Sequence, residues 1–127
     1  MADIYSHEFI YHYKNQPNKR PLSKFNSSGK DINFSCGDEV EVQLLIDNNG
    51  KIADFGYKPN GCIISTGTIS ILSDYIIGKN IENIRKLNKE EILKLIGFEV
   101  TPSREKCVMV GVNAIKKAIE GYETKKG

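Results

Sequence analysis

A chain of 127 residues, 39% hydrophobic and 27% charged, is long enough to close one core and too apolar for intrinsic disorder. Its 18 basic and 16 acidic residues leave a formal charge of +2, too balanced for a protein living on phosphate neutralisation, so no nucleic-acid partner is expected. Three cysteines, an odd count without a charged-then-apolar leader, argue against a secreted disulfide framework and for reduced thiols in a cytoplasmic protein, and no apolar run reaches the roughly 18 residues of a membrane span.

In chain order, Ser6 as a cap, Phe9 and Tyr13 four apart, and Pro17 shortly after predict a short helix over 5–13. Its aromatics, Tyr5, Phe9, Tyr11 and Tyr13, suit packing of that helix onto its own domain better than docking of a partner. His7 and His12 are five apart and do not face one another, so packing or surface roles outweigh metal binding. The Asn-, Ser-, Lys- and Pro-rich stretch from Asn15 to Gly29 reads as a loop or mobile arm, which makes 1–29 an N-terminal helix and arm on a single domain spanning 1–127. A short strand is expected from Lys30 to Phe34. Val40, Val42, Leu44 and Ile46 alternate with polar residues, and Asp47-Asn48-Asn49-Gly50 then turns the chain into a second strand over Lys51 to Lys58.

After Gly61 the pattern becomes helical. The apolar run from Ile63 to Ile77 exceeds a typical strand and ends at Gly78, as a buried helix would. Asn88 and Glu91 form a capping-box pattern before Ile92, Leu95 and Ile96, with Gly97 as the stop. Val108, Val112, Ile115 and Ile119 mark a long last helix beginning near Pro102; the lysine pairs at 116–117 and 125–126 belong to a solvated face and a frayed tail. A small antiparallel three-stranded sheet packed against helices is an α+β domain.

The chemistry lies in the thiols. Cys36 stands in Ser35-Cys36-Gly37-Asp38 before a strand, Cys62 follows Asn60-Gly61 and opens a helix, and Cys107 lies in the first turns of the last helix after Arg104 and Lys106. There is no CxxC pair, and taken singly each cysteine is most simply a small buried hydrophobe. All three nevertheless sit at junctions between elements, where glycine permits close approach and a helix N-terminus or neighbouring cations favour a thiolate. Asp38 adds a carboxylate, giving three sulfurs and one oxygen, a feasible set for zinc or an iron-sulfur cluster.

Several short segments together resemble the IscU and NifU N-terminal family of iron-sulfur cluster assembly scaffolds over nearly the whole chain. They are Tyr5-Ser6 with His12-Tyr13 and Asn15, Cys36-Gly37-Asp38, Asn49-Gly50-Lys51-Ile52, Gly61-Cys62, Gly78-Lys79, and Lys106-Cys107 with Ala114-Ile115-Lys116. The resemblance implies an IscU/SufE-like fold and a scaffold rather than an enzyme. In such a scaffold Cys36, Asp38, Cys62 and Cys107 hold zinc or iron and a transient [2Fe-2S] cluster. Sulfur comes from a cysteine desulfurase, and the finished cluster passes to apo iron-sulfur recipient proteins. Cys36 is expected to accept the persulfide sulfur first, with Cys107 as the alternative.

Two departures matter. Lys106 replaces the histidine that usually precedes the last cysteine in the IscU branch; a protonated lysine has no lone pair, so its expected role is charge tuning, aided by Arg104. Lysine there looks SufU-like, although the run from Gly78 to Cys107 is too short for the SufU insertion, and the alternative reading is a zinc-dependent sulfurtransferase. Of the chaperone-binding Leu-Pro-Pro-Val-Lys of the IscU branch, Val100-Thr101-Pro102-Ser103-Arg104 keeps one proline and one cation, and an Hsp70-type chaperone is carried as a partner on that remnant alone. A monomer and a homodimer fit equally, and a metal-binding relic kept for protein interaction is the third reading.

Overall fold

In the computed structural model, residues 6–35 and 37–126 are described, the side chains of residues 125 and 126 excepted. Strand β2 (Asp38–Ile46) is the centre of the sheet because Val40, Val42, Leu44 and Ile46 all turn into the core while the residues between them reach solvent. It pairs antiparallel with β1 (Ser27–Asn33) on one side and β3 (Ile52–Asn60) on the other, in the order β1-β2-β3. The predicted hairpin turn is present: Gly50 takes φ +80°, and Asp47 Oδ1 accepts the N–H groups of Asn49 and Lys51, each at 2.9 Å.

The outer strand β1 differs from expectation, starting at Ser27 rather than Lys30 and ending at Asn33 before Phe34. Asn26 is the reason at its first end, since its side chain donates to Ile46 O at 2.8 Å and accepts from Ile46 N at 2.9 Å, carrying the pairing outward. Gly29 then lets the last helix press onto the strand: a Cβ there would lie 2.2 Å from Ala114 O. Strand β3 runs on past Lys58 to Asn60, which brings the chain to the end of the sheet where β2 begins.

Helices cover the inner face. α1 (His7–Asn15) is capped by Ser6, whose hydroxyl accepts from Phe9 N, and Phe9 is fully buried against α2 (Ile63–Ile76) at Gly67, where a Cβ would sit 2.4 Å from the ring. His12 is buried beside it and meets Ser70 Oγ at 2.8 Å, a packing role. Residues 16–26, read from composition as an arm, lie along the sheet: Tyr57 donates to Pro17 O at 2.9 Å and Leu22 N donates to Gln43 Oε1 at 2.7 Å. α2 is the buried central helix, closed off at Gly78 with φ +90°. A short α3 (Ile81–Arg85), capped by Asn80, was not foreseen. α4 (Lys89–Ile96) has the full Asn88–Glu91 capping box and its Gly97 stop. A 3-10 turn over Pro102–Arg104 leads into α5 (Glu105–Lys126), so the α-helix proper begins three residues after the proline. Tyr5 and Gly127 lie outside the described residues, as do the side chains of Lys125 and Lys126.

Candidate metal centre

Three elements begin at one end of the sheet. Asn33 pairs with Asp38 across the β1–β2 loop, which Gly37 closes at φ +80° with its N–H donated to Asn33 O at 2.7 Å. Asp38, the first residue of β2, is thereby buried with 4% exposure. Strand β3 ends at Asn60 opposite Glu39, and Gly61 delivers the chain to Cys62 at the cap of α2. A Cβ at residue 61 would lie 2.7 Å from Asp38 Cγ, Asp38 Oδ1 and Ser65 Oγ alike, so only glycine allows the carboxylate to reach over this corner.

The carboxylate grips Cys62 twice. The backbone N–H of Cys62 donates to Asp38 Oδ1 at 3.2 Å and its thiol donates to Oδ2 at 3.2 Å. Ser65 Oγ donates to Cys62 O at 3.2 Å and stands 3.9 Å from the Cys62 sulfur. Cys107, in the first turn of α5, is 7% exposed. One donor atom each from Asp38, Cys62 and Cys107 fall within 4.8 Å of one another.

The backbone N–H of Cys62 at the start of α2 accounts for a carboxylate beside it. It does not call for a second sulfur from α5, and two thiols with a carboxylate form a donor set suited to a borderline or soft cation. Ligands sharing one ion at the usual zinc–sulfur length of about 2.3 Å lie roughly 3.8 Å apart, so this set needs only a small contraction to close on an ion.

Of the site residues predicted from sequence, the structure brings Asp38, Cys62 and Cys107 together, and Cys36 lies outside the described residues. Arg104 and Lys106 are exposed, and among the described residues neither makes an ion pair; Lys106 lines a groove of about 440 Å3 with Ile32, Asn33, Pro102 and Met109. Ser65 was missed, although its place three residues after a helix-capping cysteine was a usable signal.

The model of the NifU-like N terminal domain matches residues 4–127. The chain is 31% identical over 126 residues to the iron-sulfur cluster assembly scaffold protein IscU of Haemophilus influenzae, covering 97% of this chain and 98% of that one. It is 30% identical to the iron-sulfur cluster assembly enzyme IscU of Drosophila melanogaster, across 96% of this chain and 80% of that one. Among solved structures, the N-terminal part of a nitrogen-fixing NifU-like protein from Brucella abortus superposes with a TM-score of 0.80 at 17% identity, covering 97% and 96% of the two chains, and bears on the fold alone.

Proposed function

This chain belongs to the NifU-like N-terminal domain family, and on that premise we propose that it is an iron-sulfur cluster assembly scaffold, accepting sulfur from a cysteine desulfurase, binding iron, and passing a transient [2Fe-2S] cluster to recipient proteins. The observation that carries this reading is the convergence of Asp38, Cys62 and Cys107 from three separate elements within 4.8 Å. Cys36 completes the ligand set in this proposal, and the protein works in the cytoplasm.

Sulfur arrives by thiol exchange. An acceptor thiolate, assigned to Cys36 with Cys107 as the alternative, attacks the outer sulfur of the donor persulfide; a new S–S bond forms, and the donor cysteine leaves as a thiolate. Turning each transferred sulfur into sulfide takes two further electrons from an external reductant of the thiol or ferredoxin class. Iron is cargo here. Where the thiol proton now joins Cys62 to Asp38, an incoming cation takes the proton's place, and the proton leaves to solvent. A hard carboxylate among soft thiolates weakens the hold on iron, which suits a site that must release what it builds. Three thiolates and a carboxylate carry a formal charge of about −4, which Lys106 and Arg104 offset from the surface.

Anaerobic incubation with a cysteine desulfurase, cysteine, ferrous iron and a thiol reductant tests this. The expected result is a visible-absorbing cluster that transfers to an apo-ferredoxin and is lost in Cys62→Ser and Cys107→Ser. The Lys106-Cys107 pair favours a second reading, a zinc-dependent sulfurtransferase; tight zinc with stimulated desulfurase turnover and no cluster would select it. Neither result would overturn both.

A further inference from the structure

The loop between β1 and β2 carries a side chain that the fold does not use. Phe34 is 90% exposed, the most exposed large apolar residue among those described. The loop holding it is closely built: Asn33 Oδ1 accepts from Ser35 N at 3.1 Å, Asn33 O accepts from Gly37 N at 2.7 Å, and Asn33 pairs with Asp38. Phe34 therefore stands out to solvent beside Asn33, whose hydrogen bonds to Ser35 and Gly37 close the turn, four residues before Asp38 and two before Cys36 in sequence.

The ground beside it is amphipathic. The wall of the groove that ends at Asn33 includes Ile32, Pro102 and Met109. Its acidic side chains are already neutralised: Asp31 pairs with Lys117 at 2.7 Å and Glu105 with Lys89 at 2.9 Å, while on the neighbouring strand Glu39 pairs with Lys30 at 2.8 Å. Lys106 in this wall, and Arg104 two residues before it, make no ion pair among the described residues, so both stay open to a partner's carboxylates. An exposed aromatic beside unpaired cations has the composition of an interface anchor.

We propose that Phe34 is the anchor by which the persulfide-donating protein seats itself on this chain, its ring entering an apolar pocket of the donor while donor carboxylates face Arg104 and Lys106. This rests on the sulfur-accepting reading above. Sulfur exchange requires the donor persulfide to touch the acceptor thiol directly, and the favoured acceptor, Cys36, is two residues from Phe34 in sequence, so a partner holding this ring is brought to the segment that carries the acceptor. The two cations select an acidic face on that partner and speed its approach.

Calorimetric titration with a purified cysteine desulfurase, run on wild type, Phe34→Ala and Phe34→Tyr, tests the proposal beside cluster assembly from ferrous iron and inorganic sulfide, which needs no donor protein. Phe34→Ala is expected to bind the desulfurase about tenfold or more weakly and Phe34→Tyr within about threefold of wild type. Desulfurase-driven assembly by Phe34→Ala should recover at high donor concentration, and assembly from sulfide should be unchanged. Equal affinity of wild type and Phe34→Ala, with sulfide assembly intact, overturns the anchor alone. Loss of affinity for an apo-ferredoxin recipient with desulfurase binding retained also overturns it, assigning the ring to cluster delivery. Failure of wild type to assemble a cluster even from sulfide instead overturns the scaffold reading.

Discussion

At position 61 a single hydrogen decides whether Asp38 and Ser65 can approach the same thiol. Gly61→Ala places a methyl group 2.7 Å from both, and Asp38 is the fixed partner because it is buried at the start of the central strand. The expected outcome is a loss of zinc affinity of about 10- to 100-fold, the usual cost of disturbing what orients a ligand, read by chelator competition. Lys106→Ala removes an exposed charge, for which an effect of at most about 1 kcal/mol is expected, so zinc affinity and the sulfur-transfer rate should each fall by a few-fold at low salt and less at high salt. Unchanged sulfur transfer and metal affinity would remove Lys106 from the charge-tuning role. At this scale the meeting of Cys62, Cys107 and Asp38 was legible, the thiols because the sequence has only three and Asp38 through its place two residues from Cys36, which itself lies outside the described residues. Gly61 was readable as a point of close approach, but not that Asp38 is what approaches it, and Ser65 was not readable, since both arise from the corner where β3 meets α2.

Elements depend on contacts of the same kind. α1 docks through Phe9 lying over Gly67, so Gly67→Ala forces a Cβ to 2.4 Å from the ring and is expected to cost about 1 to 3 kcal/mol by overpacking, measured by urea unfolding. Phe9→Ala leaves a cavity and should cost about 3 to 5 kcal/mol. Asn88→Ala removes the capping box of α4 at about 1 kcal/mol. That box, the Asp47–Gly50 turn and the buried α2 were readable because each is specified by residues close in sequence. The beginning of β1 was not readable, since Ser27, Ser28 and Gly29 have little strand character of their own and are paired through Asn26 and pressed by α5. Five-residue α3 is too short for apolar periodicity to reveal, and the compositional signature of residues 16–26 says nothing of the carbonyls and amides that tie them to β2 and β3.

For the molecule as a whole, the alkaline side is the weak one. Burial, aided by the Asp74 charge and opposed by a hydrogen bond from Ser70, pushes Tyr57 from 10.0 up to about 12. Between those values the unfolded chain gives up its phenolic proton while the folded one keeps it, so unfolding is favoured as pH rises from about 10 to about 12. Lys30 and Lys89 are raised above 10.5 by hydrogen bonds to Glu39 and Glu105, and their contribution is likewise full below that value and lost above it. Urea midpoints should therefore be flat near neutrality and fall above pH of about 10, with a shallower fall in Tyr57→Phe. A metal ion held by Asp38, Cys62 and Cys107, as proposed, would join β2, α2 and α5: zinc at about 100 times its Kd should add about 2.7 kcal/mol, seen as a rise in Tm that is absent in Cys62→Ser. The placement of these ligands along the chain also sets a timetable. During synthesis Asp38 and Cys62 leave the ribosome well before Cys107, so the hairpin and α2 can form their thiol–carboxylate contact while the second sulfur has yet to be made. The proposed site gains its last donor, Cys107, only when α5 docks against the sheet, so a chain lacking α5 is expected to hold a cation more weakly than the full chain.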